Sequence, residues 1–499
     1  MKLIIKKLRF LTGRPVCMIH EETAKKMSLH VGNRVAITNK RHEKIISIVD
    51  TVTKIITPGE IAVSEEILEI LKLNDKEPVN VEITERPRSL SFIKNKLMGS
   101  RLKKEEIREI INDIADNSLT EVEVAFFISA VYSRDMNIEE TKYLIQAMVE
   151  SGTRLNLGGE VADKHCIGGI AGNRTTPIVV SIGAAAGLIM PKTSSRAITS
   201  AAGTADSIET IARVDFSIND IKKIIKKTNA CLVWGGTLGL APVDDKIIKV
   251  ERLVNIDSTA QLLASILSKK ISVGSKYVLI DIPQGRSSKV NKKQAVKLRE
   301  KFLILGKLFG LKIEVVLTEG SEPIGNGIGP VLEIKDVIKV LSKDADAPKD
   351  LEEKSLVLAG RLLELTKKAK PNKGFDMAKE ILDSGKALKK FKQIIEAQEG
   401  SLTVSQKPKF SFDVKSQDRI KISHYDNKMI NKIARFAGCP EDTAAGIYLH
   451  KKKGEIVEKN QSIFTIYTLS EEKLKQAKSL YERNKEKVFE YKILTKDCS

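Results

Sequence analysis

Hydrophobic and polar positions change rhythm along the chain. Through about residue 85 the apolar residues come in short β-branched runs, at 2–5, 34–38 and 44–49. Gly32-Asn33 and Pro58-Gly59 separate them as turns. The pattern predicts a β-rich N-terminal domain over 1–86 with one or two helices. From Ser89 the apolar spacing lengthens to three and four, and 92–98, 103–116, 120–133 and 138–151 each predict an amphipathic helix. Thr120 followed by Glu123 is a capping box that marks one of the starts. These stretches form a helical domain over 87–160, completed by about 243–272.

Beyond residue 161, short apolar runs alternate with helical stretches. Strands are predicted at 188–191, 277–282 and 313–317, and a helix at 292–308; this alternation specifies a largely parallel sheet. That α/β domain covers 161–400 and ends in helices at 350–398. The remainder, 401–499, has short strands at 410–414, 455–457 and 462–466 around a helix at 428–437. The expected fold class is therefore multidomain α/β. A helical domain and a largely parallel α/β domain are flanked by a β-rich N-terminal domain and a C-terminal α+β domain.

Composition narrows the chemistry. There are 84 Lys+Arg against 64 Asp+Glu, a net charge of +20, while aromatic residues make up only 5%. Single-strand binding surfaces interleave cations with aromatic platforms, and the lysines at 222–227 and 451–453 have few aromatics between them. They read as solvated helix faces, and a small anionic substrate suits the charge better than nucleic acid. The five cysteines (Cys17, Cys166, Cys231, Cys439, Cys498) form no C-x-x-C pair, which argues against a zinc ribbon or disulfide framework and for a reducing compartment. No run of ~18 apolar residues and no signal-type leader occurs, so a cytoplasmic protein without membrane segments is expected. No metal cluster and no dinucleotide fingerprint appears, and neither metal nor cofactor is expected.

Two loops and one helix carry the candidate chemistry. The first loop, DKHCIGGIAGNRTT at 163–176, brings Lys164, Gly168 and Gly169 ahead of a helix announced by Pro177. Glycines before a helix let backbone N–H groups approach an anion, to which Lys164 adds a full charge. The second loop, at 192–209, follows the strand at 188–191, where open α/β sheets bind ligands. Its Ser194, Ser195, Arg196, Ala197, Ile198, Thr199, Ser200 and Thr204 offer small and polar groups to phosphate and ribose oxygens. The helix, 257–270, puts Asp257, Gln261, Ser265 and Lys269 on one polar stripe. That stripe reads equally as a solvated face with Asp257 as N-cap. A further strand-end loop at 283–289 carries Arg286 and Lys289. His165 lies inside the first motif, as an acid/base group or as loop support.

Residues 194–209 match without a gap the signature S-[GS]-R-[GA]-x-x-x-[TA]-[GA]-G-T-x-D-x-x-E of the thymidine/pyrimidine phosphorylase family. Residues 163–169 resemble that family's phosphate loop, and 264–270 (ASILSKK) a third family motif. The resemblance runs from about 89 to 399. It implies a phosphorylase in which Lys164, Gly168, Ser194 and Thr204 hold inorganic phosphate. Gly169, Ser195 to Ser200, Thr204 and Ser265 would contact the nucleotide, and Asp257 would protonate the departing base. Cys166 departs from the family's serine. Val250 stands where the thymidine enzymes carry a pyrimidine-binding arginine, with Arg252 two residues on. These departures, the N-terminal segment and Lys289 as a partner for a 5′-phosphate all favour the archaeal AMP phosphorylase branch. That branch turns AMP and phosphate into adenine and ribose 1,5-bisphosphate, with CMP and UMP as further substrates. The resemblance also implies a homo-oligomer, at least a dimer. Competing readings are a pyrimidine nucleoside phosphorylase, an anthranilate phosphoribosyltransferase-type enzyme needing magnesium, and a basic nucleic-acid-binding or assembly protein.

Overall fold

The computed structural model describes residues 1–155, 157–197 and 200–494. Its contacts divide the chain into two compact units, 1–152 with 241–265 and 153–240 with 266–499. The first unit opens with β1 (Lys2–Lys6), β2 (Val16–His20), α1 (Glu21–Lys26), β3 (Arg34–Thr38), β4 (Lys44–Val52), β5 (Glu60–Val63), α2 (Glu65–Leu71) and β6 (Pro78–Ile83). The six strands close into a barrel in the order β1-β5-β2-β4-β3-β6. Alternate residues fill it: Leu3 and Ile5, Val35 and Ile37, Val79 and Val81 all join one buried cluster. Strand β2 is covered along nearly its whole length and shows no alternation, so periodicity does not reveal it.

Helices α3 (Ser89–Leu97), α4 (Lys104–Ala115), α5 (Glu121–Arg134) and α6 (Ile138–Glu150) follow the expected spacing. Thr120 and Asn137 cap α5 and α6, each with a glutamate at the third helical position. Barrel and helices are joined within this unit by Arg34 of β3. Its Nε donates to the Ser118 carbonyl at 2.7 Å, and its guanidinium pairs with Glu123. A buried ion pair, Lys96 Nζ to Glu140 Oε1 at 2.8 Å, ties α3 to α6, and Glu140 also accepts the Leu102 N–H.

The second unit begins with β7 (Ala162–Cys166), α7 (Thr175–Ala185), β8 (Met190–Ser194), α8 (Thr204–Glu209), α9 (Ile218–Thr228) and β9 (Ala230–Trp234). The chain then passes through α10 (Pro242–Val254), packed on α4 and α5 in the first unit, and α11 (Thr259–Ser272). Next come β10 (Tyr277–Gln284), α12 (Lys292–Leu308), β11 (Lys312–Glu319), β12 (Gly327–Ile328), α13 (Pro330–Leu341), α14 (Lys349–Leu365), α15 (Gly374–Asp383) and α16 (Lys386–Ala397). Strands β11, β10 and β7 pair in parallel, as do β8 and β9. A parallel bridge from Val161 to Ile189 joins the two sets in the order β11-β10-β7-β8-β9. All five carboxyl ends therefore face one edge. Strand β8 extends through Ser194, so Lys192, Thr193 and Ser194 belong to a strand and not to the loop expected there.

The chain closes with β13 (Phe410–Lys415), β14 (Ile420–Tyr425), α17 (Asn427–Phe436), β15 (Gly446–Leu449), β16 (Ile456–Val457), β17 (Ser462–Thr468), α18 (Glu471–Val488) and β18 (Phe489–Ile493). They make two small sheets, β12-β15-β17-β13 and β16-β14-β18, with their own core around Ile430, Ile433, Phe464 and Tyr481. Ala171 and Ala201, from two loops of the parallel sheet, are buried in that same core.

Replacing Glu140 with alanine leaves the Lys96 ammonium buried without its counter-charge. The expected cost is about 3–5 kcal/mol in chemical denaturation. A loss below about 1 kcal/mol, the range of surface pairs, would show that the pair is not buried as described.

Candidate functional site

Strand alternation sorts the first loop motif onto two faces. In the β7–β10 ladder, Lys164 is opposite Leu279 and Cys166 opposite Asp281, so their side chains share one face; Asp163 and His165 take the other. On the first face Lys164 is fully buried, and its ammonium donates to the hydroxyls of Thr175 (2.7 Å) and Thr176 (3.3 Å) where α7 begins. Burial is the largest influence on this lysine and lowers its pKa. Asp281 receives the Thr318 hydroxyl at 2.6 Å and stands 3.5 Å from the ammonium of Lys354. This face holds more positive than negative charge, an arrangement that an entering anion completes.

The loop beyond Cys166 is shaped by glycines. Gly168 has φ +86° with open space where a side chain would sit, and a Cβ on Gly169 would lie 2.8 Å from the Lys289 nitrogen. The first loop thus abuts the backbone of the 283–290 loop. The Cys166 sulfur accepts N–H groups from Gly168 and Asn173, both at 3.4 Å. Burial pushes the thiol up to about 11, so it stays neutral.

The second loop is held by Asp206, whose Oδ2 accepts the Ala197 N–H (2.7 Å) and the Gly203 N–H (2.8 Å). Gly203 cannot carry a side chain, because a Cβ there would lie 2.5 Å from the Ser195 carbonyl. Arg174 fixes the loop's far end. It pairs with buried Glu333 and donates to the Thr204 hydroxyl and the Ala202 carbonyl, each at 2.8 Å. Burial raises the Glu333 carboxyl to about 7, even with Arg174 beside it. The hydroxyls of Thr193 and Ser194 are buried, and neither has a hydrogen-bond partner among the described residues. An arriving ligand can satisfy them.

The remaining expected residues fall as follows. Ser195 is exposed at the end of β8, and Ser200 donates to the Ala202 carbonyl at 2.9 Å. The Arg196 guanidinium is engaged by Glu209 and Asp206 and lies over the Trp234 ring. Ile198 and Thr199 lie outside the described residues. Lys289 is exposed, while Arg286 pairs with Glu490, and Ser287 and Ser288 are used up by bonds within the fold. Asp257 and Ser265 belong to the first unit. The helix expected from Asp257 starts two residues later, because the Ser258 hydroxyl accepts the Gln261 N–H at 3.2 Å and is the N-cap. Asp257 is exposed, Gln261 buried, and Ser265 and Lys269 half-buried, so the stripe is solvated only at its N-terminal end. Ser265 donates to Asp244 at 2.8 Å.

Sequence reasoning assigned no role to the polar cluster on the opposite face. Asp163 is 2.7 Å from Lys270 and 3.6 Å from Lys192, all three buried. Burial pulls Lys192 down to about 7 although Asp163 opposes it. His165 is pushed well below the ordinary imidazole range, first by burial and then by Lys270, Lys192, Lys164 and Lys269. Strand alternation would have placed Asp163 beside His165, but Lys192 and Lys270 reach them only through the fold.

Comparisons with known proteins agree on one group. Residues 90–152 match the helical bundle domain of a glycosyl transferase family, residues 158–388 the α/β domain of that family, and residues 421–486 the pyrimidine nucleoside phosphorylase C-terminal domain. An AMP phosphorylase of Thermococcus sibiricus is 43% identical, the match covering 96% of this chain and 95% of the relative. An AMP phosphorylase of Methanococcus aeolicus is also 43% identical, over 92% of each chain. A putative thymidine phosphorylase of Legionella pneumophila is 42% identical over 90% of this chain and 87% of its own. Among solved structures, anthranilate phosphoribosyltransferase from Thermus thermophilus shares the fold. Its TM-score is 0.52 at 17% identity, covering 62% of this chain and 99% of that one.

The depressed His165 pKa has a measurable sign. An unfolded histidine takes up a proton below about 6.5 and the folded one does not, so stability from this group is present above 6.5 and is lost as pH falls. The expected slope is at most ~1.4 kcal/mol per pH unit, absent in His165→Gln. A folded-state imidazole resonance that titrates near 6.5 would contradict the assignment.

Proposed function

Because the chain belongs to the thymidine/AMP phosphorylase family, we propose that it is an AMP phosphorylase, converting AMP and inorganic phosphate into adenine and ribose 1,5-bisphosphate. What supports this most is the 43% identity to AMP phosphorylases over nearly the full length, N-terminal segment included. CMP and UMP are proposed as further substrates, and a homo-oligomer, at least a dimer, as the working form.

In this reading phosphate is held by Lys164, the backbone of Gly168, and the hydroxyls of Ser194 and Thr204. The orphaned hydroxyl of Ser194 supports that placement. Gly169, Ser195 to Ser200, Thr204 and Ser265 contact the nucleotide, and Lys289 takes the 5′-phosphate. A phosphate oxygen bonds to C1′ as the bond from C1′ to the base breaks. The base leaves with the electron pair, and Asp257 supplies the proton that makes it neutral. Positioning and preorganised charge do most of the work, and no cofactor enters the reaction. Burial, reinforced by Lys270 and Lys192, keeps His165 uncharged, so this imidazole adds no further cation to the site.

A second reading has one specific observation behind it. The Legionella relative bears a thymidine phosphorylase name at nearly the same identity. Against it stands Val250, buried on α10 in the place of the pyrimidine-binding arginine.

The deciding measurement is base release from AMP, CMP, UMP, adenosine and thymidine, each with and without phosphate. Phosphate-dependent release from the monophosphates is expected; release from thymidine alone would transfer the chain to the second reading. Asp257→Asn should lower kcat by about 10²–10⁴-fold while AMP binding survives. Unchanged turnover would remove Asp257 from the mechanism.

A further inference from the structure

The C-terminal lobe sends two asparagines from α17 into the loops at the carboxyl edge of the parallel sheet. Asn427 is fully buried and uses its whole amide. Its Oδ1 accepts the Ala171 N–H at 2.9 Å, and its Nδ2 donates to the Ser287 hydroxyl at 2.9 Å and to the Gly320 carbonyl at 3.1 Å. One side chain thus joins the loops that follow β7, β10 and β11. One turn further along α17, Asn431 accepts the Ala201 N–H at 3.0 Å and holds the loop that follows β8. The methyl groups of Ala171 and Ala201 are buried in the lobe's core, so each loop is fastened by one apolar and one polar contact. Neighbouring bonds run the same way. Glu322 accepts from His424 at 2.7 Å and from the Tyr425 N–H at 2.9 Å, and Arg286 pairs with Glu490 at 2.6 Å.

We propose that Asn427 and Asn431 are positioning residues for the reaction, and that the C-terminal lobe serves as the template that sets its substrate loops. This rests on the phosphorylase reading above. Asn427 controls the inorganic-phosphate side and, through the Lys289 loop, the 5′-phosphate of the nucleotide. It fixes the 167–173 loop directly, and through Ser287 it fixes the backbone at Lys289 that presses on Gly169. Asn431 controls the nucleotide side through the 195–203 loop. An asparagine is required at 427 because two donors and one acceptor are needed at one point; aspartate keeps the acceptor and loses both donors. Burial of the amide leaves water no access to replace them.

The two positions give separable kinetics in the full-length enzyme. Asn427→Ala should raise the KM for phosphate and, through the released Ser287, that for AMP, whereas Asn431→Ala should raise the KM for AMP with that for phosphate changed less than about threefold; each rise should be about 10- to 100-fold. Asn427→Asp should hold the 167–173 loop but release Ser287 and Gly320. Its KM for AMP should then rise while adenosine, if accepted, is unaffected. Should Asn427→Ala fail to fold, Asn427→Asp and Asn431→Ala carry the test. Equal loss of kcat in all variants with both KM values unchanged would reduce the asparagines to structural support and overturn the proposal. A wild-type enzyme that releases no base with phosphate would instead remove the reading beneath it, so the two failures are distinguishable.

Discussion

A parallel sheet places every strand's carboxyl end on one edge, and the ladder cannot fix the loops that leave it. Everything the second unit does chemically depends on how those loops are held. Here several are pinned by buried side chains that hydrogen-bond the loop backbone. Asp206 grips the 195–203 loop through two N–H groups, and Asn427 grips three loops at once. Asp336 does the same at β12, accepting the Asn326 and Gly327 N–H groups while burial holds its carboxyl near 6. A buried amide or carboxylate with every lone pair occupied resists rotation, because any other orientation leaves a polar atom unpaired in a dry site. Rigid loops follow from that penalty.

The second constraint is charge. Lys164, Lys354 and Arg174 meet Asp281 and Glu333 on one face of the sheet, an excess of one cation where burial makes an excess expensive. On the other face Lys192 and Lys270 share Asp163, and His165 is kept neutral. The surplus positive charge thus lies on the face of β7 that carries Lys164, where α7 begins. The net charge of +20 spread over the surface says nothing of this; the local imbalance does.

How much of this was legible in the sequence depends on distance along the chain. Helices α4 to α6 and strands β10 and β11 could be read because their periodicity is local. Strand β7 could not, since ADKHC has the composition of a loop and becomes a strand only between β10 and β8. The residues from Ser194 to Thr204 were found through a family signature, composition alone leaving them a polar surface, whereas Lys164, Gly168 and Gly169 could be read as a cation and glycines ahead of a helix. Glu333, Lys354 and Asn427 were invisible for one reason. Each acts on a partner more than 70 residues away, and no spacing rule links them. Asp257 was placed inside a helix because its neighbours have helical spacing, yet Ser258 has the better cap geometry.

Cys166 shows what preorganisation permits. A serine hydroxyl is a strong donor; a thiol held up to about 11 is a poor donor and no anion. In this chain the sulfur accepts from Gly168 and Asn173, so it shapes the loop. On the proposed reading the lost donor is offset by Lys164 against its threonines, Arg174 behind Thr204, and the bare hydroxyl of Ser194. A site whose attraction is distributed over backbone and buried cations can exchange one side chain without surrendering its ligand. That freedom exists only while the loops are held from outside the sheet, which makes the lobe carrying α17 part of the site's chemistry.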